Sequence, residues 1–191
     1  MSAAPEPVPF VGSRGKDRSS GIILLLLFAA ALFLVGSRVW RVASGPLPPG
    51  QGDVAPLFTL PNVNGEAKLG LADLKGKVVL LDFWATWCPP CVASMPTLER
   101  LHRDLSGAGL VVLGVNQEPN DVTTVRSFLK ERELSLPVVV DSGATARAYG
   151  VFSFPTSVLI DRDGKVVSVH HGPAPEEALR AAISGLLERH R

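Results

Sequence analysis

Two cysteines are the whole thiol inventory of this chain, and they stand three positions apart in Cys88-Pro89-Pro90-Cys91. A bridge between them closes almost no loop, so it would restrict the unfolded chain little and stabilise the fold little. A scaffold stapled by disulfides would need more of them. The pair therefore points to chemistry. In a dithiol/disulfide couple one thiolate attacks a disulfide sulfur and forms a mixed disulfide. The second thiol then attacks the first and releases the partner in reduced form, and the reverse order oxidises it. Half a zinc site has the same spacing, and His170-His171 could add nitrogens. Zinc sites, however, gather four ligands on loops, whereas these cysteines follow an apolar strand and open a helix. No metal and no cofactor is expected.

The elements around the pair decide how it can react. Lys77 to Phe83 is a near-continuous apolar run, as in a central strand covered on both faces. Pro90 to Leu105 carries helical spacing in Val92, Met95, Leu98, Leu101 and Leu105, with a kink expected at Pro96. Cys88 then lies at a helix N-terminus, where unpaired amides and the helix dipole favour a thiolate. Cys91 lies one turn inward, placed to resolve. Neither Pro89 nor Pro90 has an N–H to offer the Cys88 sulfur, so stabilisation of the thiolate should be modest and the couple reducing.

Beyond the helix, Leu110 to Val115 is a second buried strand, and Asp121 to Arg132 is a helix with Asp121 as its N-cap. Pro137 to Val140 is extended and Thr145 to Tyr149 a helical turn. Thr156 to Ile160 and Lys165 to Val169 form two strands around Asp163-Gly164, and Glu176 to Arg189 is an amphipathic helix. Upstream, Leu57 to Leu60 and Ala67 to Leu69 flank Asn64-Gly65 as a hairpin, followed by a helical turn over Leu71 to Leu74. Strands linked through helices give an α/β layer.

The chain has 191 residues, with a formal net charge of +1 from 19 basic and 18 acidic side chains. That balance offers no clustered basic face for nucleic acid. Residues 1–20, rich in Pro, Ser and Gly, read as a disordered stub. No charge occurs from Ser19 to Ser37, close to the roughly 20 residues that cross a bilayer as helix. Residues 21–37 are therefore expected to be a transmembrane signal anchor. Cleavage after Val42-Ala43-Ser44 is the alternative, disfavoured by Arg38 and Arg41. Residues 38–52, with Gly45-Pro46, Pro48-Pro49 and Gly50, should be a stiff linker, and 53–191 one folded domain. A redox-active disulfide has specialised work outside the cytoplasm, so a single-pass cell-membrane protein with an extracytoplasmic domain is expected.

With Asp82-Phe-Trp-Ala-Thr-Trp87-Cys88-Pro-Pro-Cys91 after a strand, and Tyr149-Gly-Val-Phe-Ser-Phe-Pro155-Thr156-Ser-Val-Leu-Ile-Asp161 further on, the sequence resembles the thioredoxin superfamily. The resemblance is to its membrane-tethered TlpA-like and ResA-like branch, which has a redoxin domain, and it runs over nearly all of 53–191. It implies a thioredoxin fold, a central mixed sheet flanked by helices, with an N-terminal β-hairpin extension and one transmembrane helix ahead of it. It implies a thiol–disulfide oxidoreductase with Cys88 as nucleophile and Cys91 as resolving thiol. Pro155 would be cis, with Phe154 able to pair with a substrate backbone. Asp82 falls at the position of a buried carboxylate that accepts the proton of Cys91; a strand-end Asp paired to an amide is the other reading. Trp87 is either an exposed aromatic beside the thiol or core. The implied partners are a disulfide-containing protein substrate, with cytochrome c maturation one use, and a membrane thiol–disulfide relay as electron donor.

Two departures stand out. Ser94 occupies the place where the branch commonly carries a glutamate linked to cytochrome maturation. Gly114 falls near the lysine that partners the buried carboxylate in thioredoxin. Phe152 and Phe154 could form an apolar rim or fill core. His102, His170, His171 and His190 read as surface side chains, and no role is fixed for Asn116 to Asn120. Rival functions are a thiol peroxidase of the redoxin class, which would need an absent Thr-x-x-Cys element, and a non-catalytic binding module.

Overall fold

The structure is a computed structural model that describes residues 18–43, 48–65 and 67–189. The chain divides into two compact units, Met1–Gly45 and Pro46–Arg191. The first contains helix α1, Arg18–Ala43. It runs past Ser37 into the stretch expected to be linker, because Arg38 to Ala43 hold no glycine or proline to end a helix. Ile23 to Val35 are exposed along it. Among the described residues no helix is long and apolar enough to cross a membrane. The α1 side chains are described only from Ile23 to Ser37, less than a bilayer span at about 1.5 Å per residue. Most of the expected stub, and 44–47 of the expected linker, lie outside the described residues.

The second unit is built on a five-stranded sheet in the order β5-β4-β3-β6-β7. Strand β3, Val78–Trp84, is buried at every position, as its unbroken apolar run requires. It pairs in parallel with β4, Leu110–Asn116, and antiparallel with β6, Thr156–Ile160. Strand β5, Val138–Val140, extends the parallel side, and β7, Val166–His171, the antiparallel side. The crossovers β3–β4 and β4–β5 are made by α2, Pro89–Leu105, and α3, Val122–Glu131, with Asp121 capping α3 through the Thr124 amide. Leu98 and Leu101 of α2, Val125 and Leu129 of α3 and Ile183 of the last helix, α5 (Glu176–Glu188), bury one face together with Val78, Leu80 and Trp84. The opposite face, carrying Val79, Leu81 and Phe83, is covered by Leu71 of the 3-10 turn Leu71–Leu74 and by Ala146 and Tyr149 at α4, Ala144–Ala148.

A separate two-stranded sheet pairs β1, Thr59–Pro61, with β2, Lys68–Gly70. Its connection spans 62–67 rather than the tight Asn64-Gly65 turn read from sequence. The extra residues are occupied: Asn62 bridges to Val139, and the Val63 amide donates to the Val138 carbonyl at 2.9 Å. The Arg126 guanidinium donates to the Val63 carbonyl from the other side. The loop thus covers the free edge of β5. Near the other edge, Gly52 and Ala55 donate to Val166 and Gly164, and Val166 donates back to Asp53. Mixed sheet, helices on both faces and added hairpin together make the thioredoxin fold that the sequence resemblance implied.

Candidate active site

Strand β3 delivers the chain to the site. It ends at Trp84, turns through Ala85 to Trp87, and re-enters helix at Pro89, where a missing N–H is harmless. Cys88 is the N-cap of α2, with φ −97° and ψ 100°. It is bonded to Cys91, with S–S 2.05 Å and Cα–Cα 5.3 Å. Cys88 is 4% exposed and Cys91 0%. The Cys91 amide donates to the Cys88 sulfur at 3.3 Å. Pro89 and Pro90 have no N–H to give that sulfur, and the first amide after them reaches back as a single donor.

Loop and sheet bring the remaining groups. The Phe154–Pro155 peptide bond is cis. The Phe154 ring meets the Trp87 ring edge-on at 6.1 Å. Trp87 neighbours Cys88 in the chain, so this contact sets the proline loop beside the disulfide. Trp87 is 66% exposed, which decides between its two readings in favour of the surface. Phe154 is half-buried. Phe152 is 81% exposed and rests on the His171 ring at 4.6 Å. The loop is held from within: the Thr156 hydroxyl donates to the Ser153 carbonyl at 2.8 Å and lies 3.1 Å from Nδ1 of His171. Its one proton being spent, Thr156 accepts there, and Nδ1 of His171 carries the donor hydrogen.

Asp82 is 1% exposed and lies on the face of β3 shared with Leu80 and Trp84, against which Cys91 and Met95 pack. Burial pushes its carboxyl up to about 7, against a hydrogen bond from Ser157 that pulls it down. That bond, Ser157 Oγ to Asp82 Oδ1, is 2.8 Å long; among the described residues no backbone amide is paired with the carboxylate. Beside Asp82 in register stands Gly114. A Cβ there would lie 2.9 Å from Nε1 of Trp84 and 3.1 Å from Val138, so the place of the absent lysine is closed by packing. Ser94 turns its hydroxyl onto the Cys91 carbonyl of its own helix, at 2.8 Å.

Glu118 is a residue at the site to which the sequence reading gave no role. Its carboxylate accepts from the Thr86 amide at 2.6 Å, the Thr86 hydroxyl at 2.7 Å and the Asn116 side chain at 2.9 Å. It thereby pins the turn that carries Cys88. The parallel pairing of β3 with β4 supplies the missing signal, since it sets the loops following the two strands side by side. Of the histidines, His102 is half-buried, His170 and His171 are exposed, and His190 lies outside the described residues.

A disulfide joined at the head of a helix, with Cys88 at the N-cap next to the exposed Trp87 and the buried carboxylate of Asp82 on the preceding strand, can exchange with a second disulfide by two successive sulfur attacks. On this fold that chemistry defines a thiol–disulfide oxidoreductase. Comparison with known proteins narrows the class. The redoxin family model matches residues 50–185, and the chain belongs to that family. It is 38% identical over 129 residues to the thiol-disulfide oxidoreductase ResA of Bacillus thuringiensis subsp. konkukian, covering 67% of this chain and 73% of that one. With ResA of Bacillus subtilis it shares 34% identity over 161 residues, 84% of this chain and 87% of the relative. Among solved structures it is similar to the exposed lipoprotein thioredoxin of Streptococcus pneumoniae. There the TM-score is 0.61 at 34% identity, over 69% of this chain and 100% of that one.

Proposed function

We propose that this chain reduces disulfides of proteins outside the cytoplasm, tethered to the cell membrane by its N-terminal segment and recharged by a membrane thiol–disulfide relay. The observation that carries the reading is the Cys88–Cys91 bond at the head of α2, flanked by an exposed Trp87 and the proline loop. In the reduced state the Cys88 thiolate attacks a substrate disulfide. Cys91 then attacks the Cys88 sulfur, the substrate leaves as thiol, and the observed disulfide re-forms. Trp87, Phe154 and Pro155 give the substrate an apolar rim and backbone groups to pair with. The tether is supported by the uncharged run from Ser19 to Ser37, and an extracytoplasmic site by the need for a managed redox partner. Apocytochrome cysteines, as in cytochrome c maturation, are one candidate substrate class, although Ser94 stands where a cavity acid would be. The test is reduction of insulin disulfides by the full chain: Cys88→Ser should abolish it, and full activity in that variant would overturn the mechanism.

A further inference from the structure

Asp82 and Ser157 are register partners across the β3–β6 ladder. Both are buried, at 1% and 5% exposure. The serine hydroxyl donates to Oδ1, while Oδ2 has no hydrogen-bond partner among the described residues. On the β4 side the register partner is Gly114, which contributes no side chain. Among the described residues Ser157 is thus the one side chain hydrogen-bonded to the Asp82 carboxylate, the buried Nε1 of Trp84 on the same face of β3 having no partner. We infer that Ser157 is a positioning residue for the second half of the exchange, holding Asp82 through Oδ1 so that Oδ2 is left to take the proton of Cys91. The inference rests on reading Cys88 and Cys91 as an exchange pair.

The surroundings of Asp82 leave this role to Ser157. Strand β3 contributes Leu80 and Trp84, β6 contributes Leu159, and α2 contributes Cys91 and Met95 to the same buried cluster, with Ile183 and Leu186 coming from α5. The other acids near this layer are engaged elsewhere. Glu99 of α2 accepts from Ser135, Leu136 and Arg103, and Glu118 after β4 accepts from Thr86 and Asn116. Burial raises the Asp82 carboxyl and the Ser157 hydrogen bond lowers it. An ionised carboxylate with a single neutral donor stays basic enough to accept a thiol proton near neutrality. A cationic partner would hold it ionised to much lower pH.

The step balances as follows. In the mixed disulfide, the proton on the Cys91 sulfur passes to Oδ2 of Asp82. The resulting thiolate attacks the Cys88 sulfur, the Cys88–Cys91 bond forms and the Cys88–substrate bond breaks. The electron pair leaves on the substrate sulfur, which is reprotonated from Asp82 or solvent. Ser157 sits two residues after Pro155, so one short stretch of β6 touches both the substrate-facing loop and the buried acid.

The test uses the reduced full chain with the chromogenic disulfide of thionitrobenzoate. The first thionitrobenzoate release reports attack by Cys88, the second attack by Cys91. Followed across neutrality, the rate of the second release should rise with pH as Asp82 ionises. Ser157→Ala removes the donor that favours the ionised form, so the midpoint should move to higher pH by about one unit, the worth of one hydrogen bond to a carboxylate. Ser157→Thr should restore it, and Ser157→Val, of the same shape without the hydroxyl, should not. In an Asp82→Asn background the serine substitutions should move nothing. An unchanged midpoint in Ser157→Ala and Ser157→Val, or an equal shift in the Asp82→Asn background, overturns the inference. No thionitrobenzoate release by the unaltered chain would overturn the exchange reading instead.

Discussion

The backbone amide of Cys91 donates to the sulfur of Cys88 at 3.3 Å. Cys91 thus supplies Cys88 with a donor that both intervening prolines lack. That amide belongs to the first turn of α2, whose N-terminus favours a thiolate at Cys88.

The first prediction concerns thiol reactivity. In the reduced protein, Cys88 should react with iodoacetamide on the order of tenfold faster than Cys91, from exposure and helix position together. Peptide mapping after partial alkylation reads this, and equal labelling would contradict it. The couple should also lie nearer the reducing end of the superfamily, about −270 mV, than the oxidising end, about −120 mV. Equilibration with glutathione or dithiothreitol measures it.

Asp82 predicts how stability depends on pH. Its folded carboxyl is pushed up to about 7 by burial, from an ordinary value of 3.8. Between those values the folded chain binds a proton that the unfolded chain has lost. This group therefore lowers stability progressively as pH rises from about 4 to about 7. Asp82→Asn should raise the urea midpoint above neutrality and change it much less near pH 4. An equal effect at both pH values would argue against a raised folded pKa.

Glu118 predicts a link between stability and activity. Glu118→Ala removes the acceptor for three donors at the turn before α2. It should cost about 2–3 kcal/mol in urea unfolding and lower kcat/KM, because Thr86 is two residues from Cys88. Glu118→Gln keeps an acceptor and should fall between. A fully active, fully stable Glu118→Ala variant would remove this carboxylate from the account.

Phe152 predicts substrate discrimination. Phe152, 81% exposed on the loop whose Phe154 meets the exposed Trp87, is apolar surface that the fold leaves uncovered. Phe152→Ala should lower kcat/KM for a protein disulfide by about tenfold, the worth of one partly buried aromatic contact, and leave oxidised glutathione unaffected. Equal losses on both substrates would place the effect elsewhere.

The fold was largely legible because its signals are local. The apolar run of β3, the helical spacing of α2 and the Asp121 cap of α3 each depend on neighbours within a few positions. The hairpin turn was misjudged because Asn62 and Val63 bond to β5, more than 70 residues away, and no local rule anticipates that. The site divides in the same way. The cysteines announce themselves by spacing. Glu118 and Ser157 come to the site only through strand register, the first against the end of β3 and the second directly opposite Asp82. The Cys91 amide was overlooked because side-chain types reveal prolines that cannot donate but not the backbone group beyond them.

The central claim is that Cys88 attacks and Cys91 resolves. It is tested most directly by incubating reduced Cys91→Ser protein with a disulfide-bonded peptide and mapping the product by mass spectrometry. A stable adduct of one peptide half on Cys88, absent from the unaltered protein after the same incubation, is the predicted result. A Cys91→Ser protein that forms no adduct, or that still completes reduction of the peptide, would contradict it.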